Sequence, residues 1–356
     1  MTIFPTIGKT PNYGCKMQRI NWIDWVKAWC MTVVVFDHTP HDGSPFLLQF
    51  LAGTNLASFF FISGYLKKPS VSQKESLKKY AYCLFIPYLI YNAIFYPYWI
   101  GKAYIEQGGM PSFSECLKPI IGTFLGQLDS SFSCQLNGVT WFLISLFIMH
   151  WITDICNRQK NGKAWMLGIS TIAMFLYGLN KFAHFAPYLP FHGLVRCIPF
   201  FFLGNLLRQS GYLKETNLKK DFLIGISTLF LSLTLFYWHV NESNFYIHIA
   251  LYFIVCFFSV FAIIHLWRCA DKLRSIIFLY ISIGTMVIFG LHRILIGIID
   301  YSMEKTLHIS DICYSTPKAI ILTICIELLL FPIITFGKKY CPILLGKKEN
   351  NTHIYA

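Results

Sequence analysis

The sequence has few charged residues. Asp, Glu, Lys and Arg make up 13% of its 356 residues, about half of the share that soluble domains carry. Acidic residues are the scarcer kind, with 17 Asp and Glu against 30 Lys and Arg. The apolar residues that take their place form recurring runs of roughly 17–22 residues, which is long enough to cross a bilayer. This composition excludes a globular domain with a single anchor and favours a polytopic membrane protein.

The sequence also lacks the cysteine patterns of metal and redox sites. Its 12 cysteines include no CxxC pair and no histidine at the spacing of a zinc site, so no metal is expected. Most of them fall in apolar runs, where a thiol packs as a small hydrophobic group. Cys116 and Cys134 share one predicted external segment, and a disulfide between them is left open.

Hydropathy and turn residues predict an all-α membrane domain of ten helices, and positive charge predicts its orientation. The segments at one side hold 22 of the 30 Lys and Arg, and the alternate segments hold four. Because Lys and Arg concentrate in cytoplasmic loops, both termini are predicted to be cytoplasmic, with residues 1–19 and 338–356 flanking a membrane domain at 20–337. The same scatter of cations among short loops argues against nucleic-acid binding. The predicted spans are 20–39, 45–66, 79–100, 139–156, 165–180, 195–208, 221–240, 246–267, 275–299 and 316–337. Residues 101–138 form the longest external segment, predicted as a re-entrant or interfacial cap.

The first predicted span carries three polar side chains on one stripe. Asp24, Lys27 and His38 interrupt an otherwise apolar helix, and an unpaired Asp or Lys costs roughly 2.5–3.5 kcal/mol at mid-bilayer. At about 100° per residue, His38 falls within about 20° of Lys27 and within about 40° of Asp24 around the axis. Lys27 and His38 lie about 16 Å apart along it. A membrane helix with such a stripe is expected to line a polar cavity.

Each residue of this stripe has two interpretations. Imidazole is suited to take a proton from an alcohol near neutral pH, so His38 is a candidate general base; alternatively it marks the interfacial end of the span. Lys27 either neutralises Asp24 three residues away or attracts an anionic donor such as a coenzyme A phosphate. Asp37 could orient the His38 ring only where the helix ends or distorts, because adjacent residues face apart.

Further candidates lie near the ends of later spans. At the cytoplasmic side, Ser63 and Tyr65 of the SGY segment are candidates for the wall of a cavity mouth, and the lysines of loop 67–79 either set topology or bind polyphosphate. The lysines proposed for donor binding are Lys67, Lys68, Lys78 and Lys79. Three further residues are candidate substrate contacts: Trp141, Arg196 and His292. Alternatively, Trp141 is an interfacial aromatic residue, Arg196 a cation that snorkels from a helix end, and His292 a group that forms a hydrogen bond between helices. Glu327 in the last span needs a partner, predicted to be Arg293 or His292.

Several of these segments together resemble the acyltransferase-3 family of integral-membrane acyltransferases, including its fucose O-acetylase-like branch. The matching segments are Arg19, Asp24 and Lys27-x10-His38, followed by Phe59–Tyr65, Leu84–Asn92, Trp141–Leu143 and Arg196–Gly204. The sequence departs from the family pattern in two places. Lys78 and Lys79 stand near a position where many members have Arg-x-x-Arg, and Asp37, a candidate substrate contact, stands where many have a small residue.

The resemblance implies transfer of an acyl group, usually acetyl, from cytoplasmic acyl-CoA to a hydroxyl of a glycan at or beyond the outer face. His38 would be the catalytic base, Lys27 its paired basic residue with Asp24 beside the donor path, and Arg19 would belong to the cytoplasmic donor region. It further implies a bacterial inner-membrane protein that acts, without metal, on an envelope polysaccharide or lipid-linked precursor.

Two other functions compete with acyl transfer. A polysaccharide export or assembly protein without acyl transfer would need a wide cavity and a dispensable His38. A proton- or ion-coupled transporter would show internal symmetry and broken helices, which the sequence does not indicate. The acyl group, the acceptor sugar and the oligomeric state, including a homo-oligomer, are left open by the sequence.

Overall fold

A computed structural model describes residues 20–70, 72–183, 189–308 and 312–347, and within these ranges the chain is helical without a β-strand. A π-helical turn at Ala81–Phe85 joins α3 to α4, and 3-10 turns occupy Gly138–Thr140 and Pro342–Leu345. The helices are α1 (Asn21–His38), α2 (Pro45–Leu66), α3 (Gln73–Tyr80), α4 (Ile86–Gln107), α5 (Phe113–Phe124), α6 (Trp141–Arg158), α7 (Gly162–Ala183), α8 (Leu189–Ser210), α9 (Leu218–Asn241), α10 (Phe245–Cys269), α11 (Ile276–Ile283), α12 (Thr285–Leu307) and α13 (Thr316–Tyr340).

The helices confirm the predicted class, an all-α polytopic membrane protein. Within the described ranges, eight helices are long and apolar enough to cross a membrane, counting α3 to α4 as one continuous helix. The other two helices of at least 18 residues are α1, which carries Asp24, Lys27 and Asp37, and α8, which carries Arg196 and Arg208. With these two the number of spans agrees with the predicted ten.

Contacts at the helix ends bring lysine-rich segments together in pairs. The Asn21 amide at the start of α1 donates to the carbonyl of Asp271 after α10. The Gln209 amide near the end of α8 donates to Asn157 near the end of α6. These contacts agree with the alternation that the charge distribution predicts; which end faces the cytoplasm stays a prediction.

Several predicted boundaries differ from the structure. The span predicted at 195–208 is longer, because α8 begins at Leu189 and continues to Ser210. The span predicted at 275–299 is interrupted at Gly284, which separates α11 from α12. A Cβ at Gly284 would overlap the Ile334 side chain of α13, so the interruption lies where another helix packs closely. Hydropathy does not reveal such an interruption, since both halves are apolar.

The segment predicted to be an external cap contains a short helix. α4 continues to Gln107, and α5 then begins at a capping box in which Ser112 and Glu115 bond reciprocally. Hydrogen bonds from Ser112 lower the pKa of Glu115 below its ordinary value. At 12 residues, about 18 Å, α5 is too short to span a bilayer, and it leaves Phe113 and Phe124 exposed. Cys116 and Cys134 are both free thiols.

The bundle is organised around α1 and a close contact between α2 and α8. α1 packs against α2, α10, α11, α12 and α13. A Cβ on Gly64 of α2 would overlap the Phe201 carbonyl of α8, and a Cβ on Gly204 would overlap the Phe61 carbonyl of α2. The glycines of the SGY and PFFFLG segments therefore let two backbones meet, as small residues do between membrane helices.

Candidate active site

Two cavities follow one another along α1. The inner cavity, about 320 Å³, is lined by Lys27 and by groups that include Ser63, Lys79 and His150. The central cavity, about 190 Å³, is lined by His38 and by groups that include Asp37, Trp141 and Arg196. The walls that both cavities share are Val34, Asn55, Leu56, Phe142 and Phe289. Lys27 and His38 thus line adjoining cavities along one face of α1.

Backbone geometry fixes the tautomer of His38. Its Nδ1 lies 2.7 Å from the carbonyl oxygen of Val34, one turn earlier in α1. A carbonyl can only accept, so Nδ1 carries the proton and the lone pair of the neutral ring is on Nε2. Asp37 lines the same cavity, but both residues belong to α1, which ends at His38, and adjacent helical side chains face apart. The Val34 carbonyl performs the orienting role that the sequence left open for Asp37.

Lys27 binds the interruption between α11 and α12. Its Nζ donates to the Ser282 carbonyl oxygen at 2.9 Å, and the Ser282 hydroxyl donates to Asp24 at 2.6 Å. That carbonyl is at the C-terminal end of α11, where a cation is favoured. Asp24 lines a separate cavity, together with Tyr65 and Lys214. The predicted stripe therefore divides: Lys27 and His38 face adjoining chambers, whereas Asp24 faces another.

The predicted donor-binding lysines do not form one group. Lys67 is buried and pairs with Asp154 of α6 at 2.6 Å. Burial lowers the pKa of Lys67, and the hydrogen bond to Asp154 opposes that shift. Lys79 lines the inner cavity, whereas Lys68 and Lys78 are exposed and are not on its described wall. Lys79 is the member of the set that faces the inner cavity.

The other residues predicted to bind the donor do not lie on one cavity wall either. Ser63 lines the inner cavity, and its hydroxyl donates to the Phe59 carbonyl of its own helix. Tyr65 packs on the opposite side of α2, where its ring lies 5.7 Å from that of Trp22. Arg19 lies outside the described residues.

Arg196 separates the central cavity from an outer one. It lies two turns inside α8, and its Nε donates to the hydroxyl of Tyr252, so it does not snorkel from a helix end. The outer cavity, about 490 Å³, shares Arg196 and Ala52 with the central cavity, and polar groups on its wall include Gln49, Lys181, His192, His239 and His248.

Trp141 forms part of the central wall rather than an interfacial belt. It begins α6 and faces α8 at Gly193, where a Cβ would overlap its ring. The glycine gives the indole room to pack against α8 at the cavity wall.

His292 packs behind His38. It is fully buried, and its ring meets that of His38 edge-on at 5.1 Å between centroids. Its Nδ1 lies 2.9 Å from the Ile288 carbonyl, and its Nε2 has no partner among the described residues. The structure thus brings the two predicted histidines together. The partner of Glu327 was predicted wrongly: the hydroxyl of Thr32 in α1 donates to it at 2.8 Å.

Sequence reasoning missed three residues of this region: Asn55, His150 and Ser282. Asn55 and His150 line the cavities, and Ser282 holds both Lys27 and Asp24. The signal for Asn55 and His150 was present, since each is a polar side chain within a long apolar run.

Comparison with known proteins gives one match. The acyltransferase-3 family model, described as an acyltransferase domain, matches residues 20–336. No curated protein and no solved structure matches the chain.

Proposed function

The chain belongs to the acyltransferase-3 family, and from this premise we propose that it is a membrane O-acyltransferase, most simply an O-acetyltransferase. The donor would be acyl-CoA from the cytoplasm, and the acceptor a hydroxyl of an envelope polysaccharide or of its lipid-linked precursor at the bacterial plasma membrane. The observation that carries the proposal is the adjoining pair of chambers, with Lys27 on the wall of one and His38, whose Nδ1 is held by the backbone, on the wall of the next.

The inner cavity suits the donor. Lys27 precedes His38 by about 16 Å along α1, which is comparable to an extended pantetheine arm. The nucleotide would remain near Lys79 and the exposed Lys68 and Lys78, where cations attract phosphate. The thioester would then pass between the apolar walls to the central cavity. The donor would not need to leave the inner side for its acyl group to reach His38.

The central cavity suits the chemical step. As the acceptor oxygen attacks the thioester carbon, His38 Nε2 takes the hydroxyl proton, a C–O bond forms and the carbonyl electrons move to oxygen. Collapse of the tetrahedral intermediate breaks the C–S bond, and the CoA sulfur leaves with the proton from His38. Arg196 places a guanidinium on the wall of this cavity, where it would stabilise the oxyanion.

The outer cavity suits a polar acceptor. Its wall combines Gln49, Lys181 and three histidines with the aromatic rings of Tyr177 and Tyr252, and it meets the central cavity at Arg196. Hydrogen-bonding groups interleaved with aromatic rings fit a hydroxyl-rich ligand such as a sugar. We propose that the acceptor enters here and that Trp141 and Arg196 contact it.

The test measures ester content of purified envelope glycans by mass spectrometry in a deletion strain. The strain is complemented with wild type, His38→Ala or His41→Ala at equal membrane abundance. His41 is the matched control, because it stacks on Phe36 just outside α1 and lies on neither cavity wall. Wild type and His41→Ala are expected to restore an acyl ester, and His38→Ala to lower its formation by about 10²–10⁴-fold.

Two outcomes would contradict the proposal. Full restoration by His38→Ala would reject His38 as the base. Polymer accumulating inside the deletion strain, with no change in any ester, would instead support an export or assembly role.

A further inference from the structure

Asn55 lies between the inner and central cavities. It is in the middle of α2 and only 3% exposed, and it lines both chambers. The other shared walls are the side chains of Val34, Leu56, Phe142 and Phe289. A donor arm that reached from one chamber to the other would pass these five residues, of which Asn55 is the polar one.

The amide of Asn55 is held in one orientation. Its Nδ2 donates to the carbonyl of Cys30 in α1 at 2.8 Å. Because that carbonyl can only accept, the amide nitrogen faces α1 and Oδ1 faces away from it.

Asn55 Oδ1 has no hydrogen-bond partner among the described residues. Neighbouring polar groups of α2 differ, since the hydroxyls of Thr54 and Ser58 donate to carbonyls of their own helix. Buried polar atoms are normally paired, and an unpaired one at a passage calls for a ligand group to complete it. The protein therefore leaves a hydrogen-bond acceptor at the junction.

The pantetheine arm of coenzyme A carries the matching group. It contains two amides, and each N–H must leave water when the arm enters apolar walls, which is unfavourable without an acceptor. We propose that Asn55 Oδ1 accepts a hydrogen bond from the pantetheine amide nearest the thioester. Asn55 is then a positioning residue that sets how far the thioester extends toward His38. This inference rests on the proposed function for the identity of the donor.

The position along α1 selects the nearer amide. Cys30, to which Asn55 is bound, precedes His38 by eight residues, or about 12 Å of helix. The His38 ring points back along the helix to Val34, which shortens the remaining distance. A pantetheine amide bound at Asn55 would therefore be a short distance from the His38 ring. The amide nearest the thioester suits this distance, because few atoms separate it from the acyl carbon.

The test compares natural acetyl-CoA with an analogue in which an ester oxygen replaces the N–H of that amide. The full chain, purified in detergent, is assayed with a glycan acceptor from its own envelope. Wild type is expected to use the analogue about tenfold less well in kcat/KM, the value of one hydrogen bond. With either donor, Asn55→Leu is expected to have the reduced kcat/KM that wild type shows with the analogue. This variant therefore does not discriminate between the two donors. Ser58→Ala, buried on the same helix and on neither cavity wall, is expected to discriminate as wild type does.

The outcomes separate the inference from the function on which it rests. If Asn55→Leu still discriminates between the donors, or if it changes only the KM of the acceptor, the inference is wrong and the acyltransferase stands. If wild type transfers no acyl group from either donor, both are wrong. Should Asn55→Leu not fold, Asn55→Thr, whose hydroxyl can bond to its own helix as that of Thr54 does, gives the same comparison.

Discussion

The buried pair of Lys67 and Asp154 offers a test of what a lysine in the SGYLKK segment does. Lys67 follows the last residue of α2, its side chain is 0% exposed, and its Nζ lies 2.6 Å from an Asp154 oxygen. The hydroxyls of Ser70 and Ser76 also donate to Asp154. These contacts connect α2, the following loop, α3 and α6. They indicate a structural lysine rather than one that meets the donor.

Replacing Asp154 alone and replacing both Lys67 and Asp154 are expected to change the free energy of unfolding by different amounts. Asp154→Asn leaves a buried ammonium without its counter-ion, which is expected to lower the free energy of unfolding by about 3–5 kcal/mol. At about 1.4 kcal/mol per tenfold, this lowers the folded-to-unfolded ratio by roughly two to four orders of magnitude. Replacing both residues, Lys67→Met with Asp154→Leu, is expected to recover most of that stability, because two apolar groups can fill the same space.

The assay follows loss of folded protein on heating in detergent, together with initial rates at varied acyl-CoA. The double variant is expected to keep the wild-type KM for the donor, and Lys163→Met, an exposed lysine at the start of α7, is the control. A stable double variant whose donor KM rises tenfold or more would refute the structural role and return Lys67 to the donor site. Equal stability of Asp154→Asn and wild type would refute the energetic reasoning.

Two further predictions concern helix packing and the interruption at Gly284. Gly64→Val is expected to lower stability by about 1–3 kcal/mol, since its side chain would overlap the Phe201 carbonyl. The control is Gly101→Ala, whose added Cβ meets open space. Equal melting temperatures for the two variants would contradict the packing argument. Lys27→Met is expected to lower stability by about 1–3 kcal/mol, because the Ser282 carbonyl loses its hydrogen bond, and to raise the KM for acyl-CoA about tenfold. Lys27→Arg is expected to keep most of the stability and of the affinity for acyl-CoA. An unchanged melting temperature and KM for Lys27→Met would show that Lys27 is not part of the site.

The predictable part of the site lies within one helix. Helical periodicity is fixed by backbone geometry, so residue numbers alone placed Lys27 and His38 on a common face. Asp24 lies at the edge of that stripe, and which cavity it faces depends on the position of Ser282, distant in sequence.

Residues whose role depends on a second helix could not be assigned from the sequence. Lys67 and Lys68 are adjacent lysines in the same loop, and only tertiary packing distinguishes the buried one from the exposed one. The interruption at Gly284 and the partner of Glu327 depend on α13 packing against its neighbours. Hydropathy reports the mean character of a segment and carries no information on such pairings.

The bond between His38 Nδ1 and the Val34 carbonyl has a consequence for energy conservation in the membrane. An imidazole conducts protons across a barrier by receiving one on one nitrogen and releasing another from the opposite nitrogen. With Nδ1 held by the Val34 carbonyl, the neutral His38 ring has Nε2 as its one nitrogen that can accept a proton. In the proposed reaction, a base held in this way would take up and release protons at one nitrogen and would not carry them from one side of the membrane to the other.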